Sequence, residues 1–408
     1  MTRATDEGSF TEDYWRDPHE TLARTRESSP VREVVFETGP TWLVTRYADV
    51  RAGLTDARLA KDWRSSLPED ERASAPPGLP APMSHMLTSL DPPEHTRLRN
   101  LVVQAFTARR IAELRPRVEA VAAELLDALP EDEPVDLVAR YAIILPMVVI
   151  CELLGVPEID REEFARLSTV LIDECPEPEL VLASTQMADY LEGLVAAKRA
   201  NPDQALLSAL ITASDEGDRL SDLEIVAMAM LLLMAGHETT AVFITNSVRA
   251  LLADPTGLDR LASPSSAPSL IEELLRWLSP AINASLRFAT EDLEIGGVPI
   301  PRGASVMLST GGANRDPAQF PAPARFDPDR DTAGHLAFGH GIHRCLGAAL
   351  VRLEGEVGLS ALFTRFPRLR VAADPADLTF RRSVHVHAPR TFPVVLGPRA
   401  FPIGRAHH

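Results

Sequence analysis

The sequence predicts a mainly α-helical fold with a small β component, and three observations carry that prediction. From Glu94 to about Lys198 apolar residues recur at intervals of three and four, as in Leu98, Leu101, Val102 and Ala105. That is the period of a helix with one buried face. Ser221 to Glu224 reads S-D-L-E, a capping-box pattern that opens the apolar run from Ile225 to Gly236. Strand-like segments are short and lie at the two flanks of this helical region.

The elements follow in order. "VREVVF" and "TWLVTR" read as two early strands. Leu67 to Pro93 is rich in proline and too broken for one regular element, which suits a binding loop or lid. The helical region breaks at "LPEDEP", "GVPEID" and "CPEPE". After the apolar run a further helix is expected over Ser269 to Leu278. The segments "ASLRFAT", "LEIGGVPIP" and "ASVMLST" then read as strands. A loop-rich stretch leads to Cys345, one more helix follows, and strands are expected near "LRVAA" and "TFPVVLG".

With 408 residues, length alone suggests two or three domains or one large one, at about 150 residues per domain. Apolar residues make up 45 %, enough for a sizeable core, and the net charge is −17. That balance argues against a nucleic-acid binder working by broad charge attraction. The first residues are polar and acidic, with no secretory h-region. Ile225 to Gly236 is shorter than the roughly 20 residues that cross a bilayer. The expectation is a soluble cytoplasmic protein with no membrane partner.

Cysteines are Cys151, Cys175 and Cys345, too few and too odd for a disulfide framework. Cys151 lies in an apolar helical pattern and reads as a buried thiol, and Cys175 reads as a loop residue. Cys345 stands in "LAFGHGIHRCLGAAL" among glycines, histidines and an arginine. Four readings are open. His335, His340, His343 and Cys345 offer zinc ligands, without a second close pair such as C-x-x-C. Cys345 with His343 as base offers a nucleophile. A loop thiol without a role is the third. The fourth is a metal-bound thiolate: Gly339, Gly341 and Gly347 permit close approach of a flat group, and His343, Arg344 and a helix start favour the charged sulfur.

"FGHGIHRCLG", Phe338 to Gly347, resembles the haem-thiolate signature F-G-x-G-x-H-x-C-x-G of the cytochrome P450 monooxygenases. Three further motifs stand in the family order. "AGHETT" matches A-G-x-[DE]-T, "EELLR" matches E-x-x-R, and "PARF" matches P-x-R-F. The resemblance covers nearly the whole chain. It implies one domain over residues 1–408 with the family's triangular fold, haem lying between a distal and a proximal helix.

The resemblance also implies roles. Cys345 would be the axial thiolate of haem b, with Phe338 beside it in the signature. His95, Arg99, Arg287 and His343 would meet the propionates. Gly236 would leave room for dioxygen, Thr239 would hydrogen-bond at the oxygen site, and Glu238 with water would relay protons. Glu273, Arg276 and Arg325 would form a buried structural network. Substrate contacts would come from Met86 and Leu87, from Leu232 and Ala235, from Ile282, Asn283 and Ala284, and from the hairpin "HVHAPRTFPV". That hairpin has Ala388 and Pro389 where many relatives have Gly-Leu.

No flavin or iron–sulfur motif is seen in the chain. NAD(P)H electrons would therefore arrive through a ferredoxin reductase and a ferredoxin, met by arginines such as Arg64, Arg97, Arg109, Arg110, Arg344 and Arg352. "DPPEHTRLR" and "AFTARR" resemble actinomycete enzymes that tailor macrolides and other polyketides. The expected activity is O2-dependent oxidation of a bulky, mostly apolar small molecule. A peroxide-driven haem-thiolate enzyme and a non-catalytic haem carrier or sensor are the alternatives.

Overall fold

A computed structural model describes residues 11–400 apart from 37–38, 76–80, 173–175, 213 and 216–217. Cys175 lies outside the described residues. Both early strands form, as β1 (Val31–Phe36) and β2 (Gly39–Val44). They join β3 (Leu59–Ala60), β4 (Arg287–Ala289) and β5 (Ser305–Leu308) in one sheet of order β1-β2-β5-β4-β3. β5 runs parallel to β2, with Ser305 opposite Thr41, and antiparallel to β4, with Val306 opposite Arg287. The β3–β4 pairing sets Leu59 against Ala289. Smaller sheets include the hairpin Leu293–Ile295 with Val298–Ile300 and the trio Val135–Asp136, Arg370–Val371 and Pro393–Val395.

Five helices frame the interior: α1 (Glu94–Ala105), α2 (Ile144–Leu154), α3 (Asp222–Ala253), α4 (Ala267–Leu278) and α5 (Ala348–Arg365). The capping box at the head of α3 forms as the sequence predicts. Ser221 Oγ accepts from the Glu224 N–H, and the Glu224 carboxylate accepts from the Ser221 N–H at 2.7 Å.

The apolar run proves to be part of a 32-residue helix, long and apolar enough to cross a membrane by length and composition. Most of that stretch is buried inside the protein, which is the position of a core helix. Ile225, Phe243, Ile244 and Val248 pack it into the main core. Cys151 is buried in α2, as expected. The described parts of the proline-rich stretch form a one-turn helix, Glu69–Arg72, and the short turns Met83–His85 and Leu87–Ser89.

Candidate active site

α3 and the start of α5 face one another across a cavity of about 400 Å³. Its lining is mostly apolar and is drawn from segments spread between Leu54 and Val351, with Leu87, Ile150, Leu232, Ala235, Ala284, Phe338 and Leu350 among them. Cys345 is exposed where it opens onto this cavity, although protein surrounds the sulfur densely on its other sides. Its N–H donates to the Phe338 carbonyl at 2.9 Å, which closes the loop. Gly339 and Gly341 adopt φ of 69° and 75°, the left-handed region that favours glycine. Gly347 has an ordinary φ of −79°, and a Cβ there would make only ordinary contact with the sulfur at 3.8 Å, so neither backbone nor space in the protein demands glycine at this position. Burial pushes the Cys345 thiol up, against the pull of the Gly347 N–H and of Arg99, Arg344 and Arg352.

The zinc reading fails. Among the described residues no three His, Cys, Asp or Glu side chains gather as a metal site. His335 turns away to Glu272, at 2.9 Å. His343 instead packs against His95, ring centroids 4.2 Å apart and the planes tilted by 52°. Burial and surrounding cations hold both imidazoles below their ordinary value, His343 down to about 2. Both His95 nitrogens and His343 Nε2 are buried without a partner. So is Arg287 Nε, while the Arg287 terminal nitrogens donate to Leu59 O at 3.0 Å and Leu54 O at 3.2 Å. Arg99 donates to the Arg344 carbonyl at 2.6 Å. His95, Arg99, Arg287 and His343 all line the cavity. Orphaned donors of this kind in a built pocket call for an anion.

On α3, Ala235, Gly236 and Thr239 line the cavity. Thr239 Oγ1 donates to the Ala235 carbonyl at 3.2 Å. A Cβ on Gly236 would meet Ile150 Cγ1 at 2.9 Å, so the glycine also lets α2 pack closely. Glu238 is not among the lining residues. It is buried and paired with Arg381 of the carboxyl-terminal hairpin at 2.6 Å, because the helix turns its side chain to the opposite flank. Of the substrate positions, Leu87, Leu232, Ala235, Asn283 and Ala284 line the cavity. Met86 and Ile282 do not: Met86 packs into the main core, and Ile282 into the cluster around Tyr14 and Leu22.

The structural network forms with one correction. Arg276 grips the Glu273 carboxylate with two bonds of 2.7 and 2.8 Å, both residues fully buried. The third member is Arg330, whose Nε donates to Glu273 at 3.2 Å. Arg325 is 73 % exposed and faces Asp327 at 3.7 Å. The chain in "PARFDPDR" turns outward at Arg325, and the Asp327 N–H and then Arg330 come back to Glu273. Four of the arginines proposed for a partner-facing patch are tied to acids: Arg64 to Asp62, Arg97 to Glu224, Arg109 to Glu113 and Arg352 to Glu272.

Two residues escaped sequence reasoning. Lys61 lines the cavity, although its sequence context looks like an ordinary strand end. Glu354 is fully buried in α5 with neither carboxylate oxygen hydrogen-bonded, and burial pushes its pKa well above the ordinary carboxylate value. A charged residue inside an apolar helical face was the available signal for Glu354.

The cytochrome P450 family model matches residues 178–263 and 267–388. The chain is a cytochrome P450. It is 49 % identical to the vitamin D(3) 25-hydroxylase of Pseudonocardia autotrophica, over 96 % of each chain. It is 44 % identical to the 6-deoxyerythronolide B hydroxylase of Saccharopolyspora erythraea, over 95 % of this chain and 97 % of that one. The solved structure of the Bacillus subtilis bacillaene polyketide synthase P450 PksS superposes with a TM-score of 0.88 at 34 % identity, covering 95 % and 99 % of the two chains. The fold is thus the P450 fold. This P450 is a haem-dependent monooxygenase that acts on a small molecule and draws its electrons from a redox partner.

Proposed function

We propose that residues 1–408 form a single cytoplasmic P450 domain that inserts one oxygen atom from O2 into a bulky, mostly apolar secondary metabolite of the polyketide or macrolide kind. Hydroxylation and epoxidation share the chemistry. Electrons pass from NAD(P)H through a ferredoxin reductase and a ferredoxin. The observation that carries the reading is Cys345 opening onto a mostly apolar cavity that is also lined by residues with orphaned cationic and imidazole nitrogens.

Those residues fit haem b. Cys345 would hold the iron as thiolate, Phe338 would cover that side of the loop, and His95, Arg99, Arg287 and His343 would take the propionates. Bound there, haem supplies dioxygen activation, with the thiolate favouring O–O cleavage. The chain's own groups do the rest. Leu87, Leu232 and Ala284 exclude water and hold an apolar substrate. Thr239 presents a hydroxyl to the cavity. Glu238, on the same helix, exchanges Arg381 for water to bring protons to Thr239.

The test is spectral and then catalytic. The reduced, carbon monoxide-treated protein gives the red-shifted Soret band of thiolate-ligated haem, and the Cys345→Ser variant loses it. With NADPH, ferredoxin and reductase, an accepted substrate gains oxygen from isotopically labelled O2. Product formed with hydrogen peroxide and none with the redox partners would overturn the electron route.

A further inference from the structure

We propose that Lys61, acting through Ser285, is a further positive charge set against the haem propionates, and that it raises haem retention and the haem's reduction potential. The proposal rests on the cofactor assignment above. Lys61 follows β3 directly and is buried, yet it lines the cavity beside His95, Arg99, Arg287 and His343. Its backbone N–H is bound by both oxygens of Asp91, at 2.8 and 3.0 Å. Nζ donates to Ser285 O at 3.1 Å, Leu286 O at 2.8 Å and Ser285 Oγ at 2.5 Å.

Those three acceptors use all three ammonium donors. Lys61 therefore does not reach an anion itself. Ser285 accepts from Lys61, so its own hydroxyl proton is free to donate, and Ser285 also lines the cavity. An ammonium–serine pair aimed at a pocket is a charge-assisted donor.

Charge balance gives the second argument. The arginine and lysine side chains lining the cavity are Lys61, Arg99, Arg287 and Arg344. Asp91 is the nearby carboxylate acting on both Lys61 and Arg287. Asp56, also near Arg287, is engaged by Nε and Nη2 of Arg58. His95, His343 and His385 are held neutral by burial and by these cations. Four positive charges against Asp91 leave a net positive lining, which the two propionates would offset. Burial, and after it Arg287, pull the Lys61 amine down to about 7, against the opposing effect of Asp91. Lys61 is thus a positioning residue, and Ser285 is the donor in contact.

The experiment compares holoenzymes of the wild type, Lys61→Gln and Lys61→Arg. Glutamine keeps hydrogen bonds to the Ser285 and Leu286 carbonyls without the charge, and arginine keeps the charge. Lys61→Gln should lose haem to apomyoglobin faster, by about tenfold or more given the strength of hydrogen bonds to charged groups. Its reduction potential should fall, and Lys61→Arg should stay near the wild type in both. Unchanged haem transfer and potential in Lys61→Gln would overturn the proposal. So would failure of both variants to fold, which would make Lys61 a packing tether. A fatty-acid probe titrated by the Soret shift separates the other carboxylate source. Weaker fatty-acid binding in Lys61→Gln with unchanged haem retention would assign Lys61 to substrate and also overturn it. A wild type without a thiolate-haem band would instead sink the cofactor assignment.

Discussion

Two side chains on facing helices show how position decides the work of an ordinary residue. Thr239 bonds back to its own helix and opens on the cavity. Thr239→Ala should leave the fold and the Soret band intact while most of the NADPH consumed yields hydrogen peroxide. Product per NADPH should drop by about tenfold or more, as loss of a positioned proton donor implies. Product and peroxide measured against NADPH check it. Glu354 works in the opposite sense. Burial raises its folded pKa above the unfolded value, and the Thr240 hydroxyl beside it pulls weakly the other way. Below about pH 4, where the unfolded chain is also protonated, the group costs nothing. As pH rises past that point the unfolded state sheds the proton that the native state keeps, so stability falls until the folded pKa is passed. Glu354→Gln should remove that slope. Urea midpoints between pH 5 and pH 8 will show it, and equal slopes in both proteins would refute the protonated state.

At the scale of elements, α4 and the loop after β5 are joined by the Glu273–Arg276–Arg330 network. Removing one partner of a buried pair costs up to roughly 3–5 kcal/mol, and less here, because Glu273 keeps Arg276 when Arg330 is lost. Arg330→Met should therefore lower the melting temperature and loosen haem binding, while Arg325→Ala should change stability by no more than about 0.5 kcal/mol. Paired thermal melts decide it, and the reverse order would restore Arg325 to the network. This case also marks where the sequence ceased to be legible. "PARFDPDR" offers two arginines five residues apart, and which of them turns inward depends on the chain's path around Glu273. The cysteine loop, the capping box and every predicted strand segment were legible because their signals are local. The Glu238–Arg381 pair, the burial of Lys61 and the withdrawal of Met86 and Ile282 from the cavity were not. Each depends on segments that meet only after folding, Glu238 and Arg381 being separated by 143 positions.

For the molecule as a whole, the net charge of −17 would repel an acidic electron carrier such as the proposed ferredoxin, and exposed arginines would attract one. Arg344 is exposed next to Cys345, and Arg109 is 89 % exposed. Replacing both with glutamate should slow reduction by ferredoxin at low salt. The difference should shrink at high salt, where the screening length falls to a few ångströms. Stopped-flow reduction at two ionic strengths measures both effects, and a salt-independent rate would exclude this face as the docking site.

The order of strands in the main sheet has a consequence for the birth of the molecule. β2 leaves the ribosome at Val44, but its parallel partner β5 ends at Leu308, about 260 residues later. At roughly 5–20 residues per second, the outer edge of β2 waits some 13–50 s with its backbone unpaired. Throughout synthesis the early hairpin is an open template, and this chain depends on whatever in the cell shields such edges until its last third arrives.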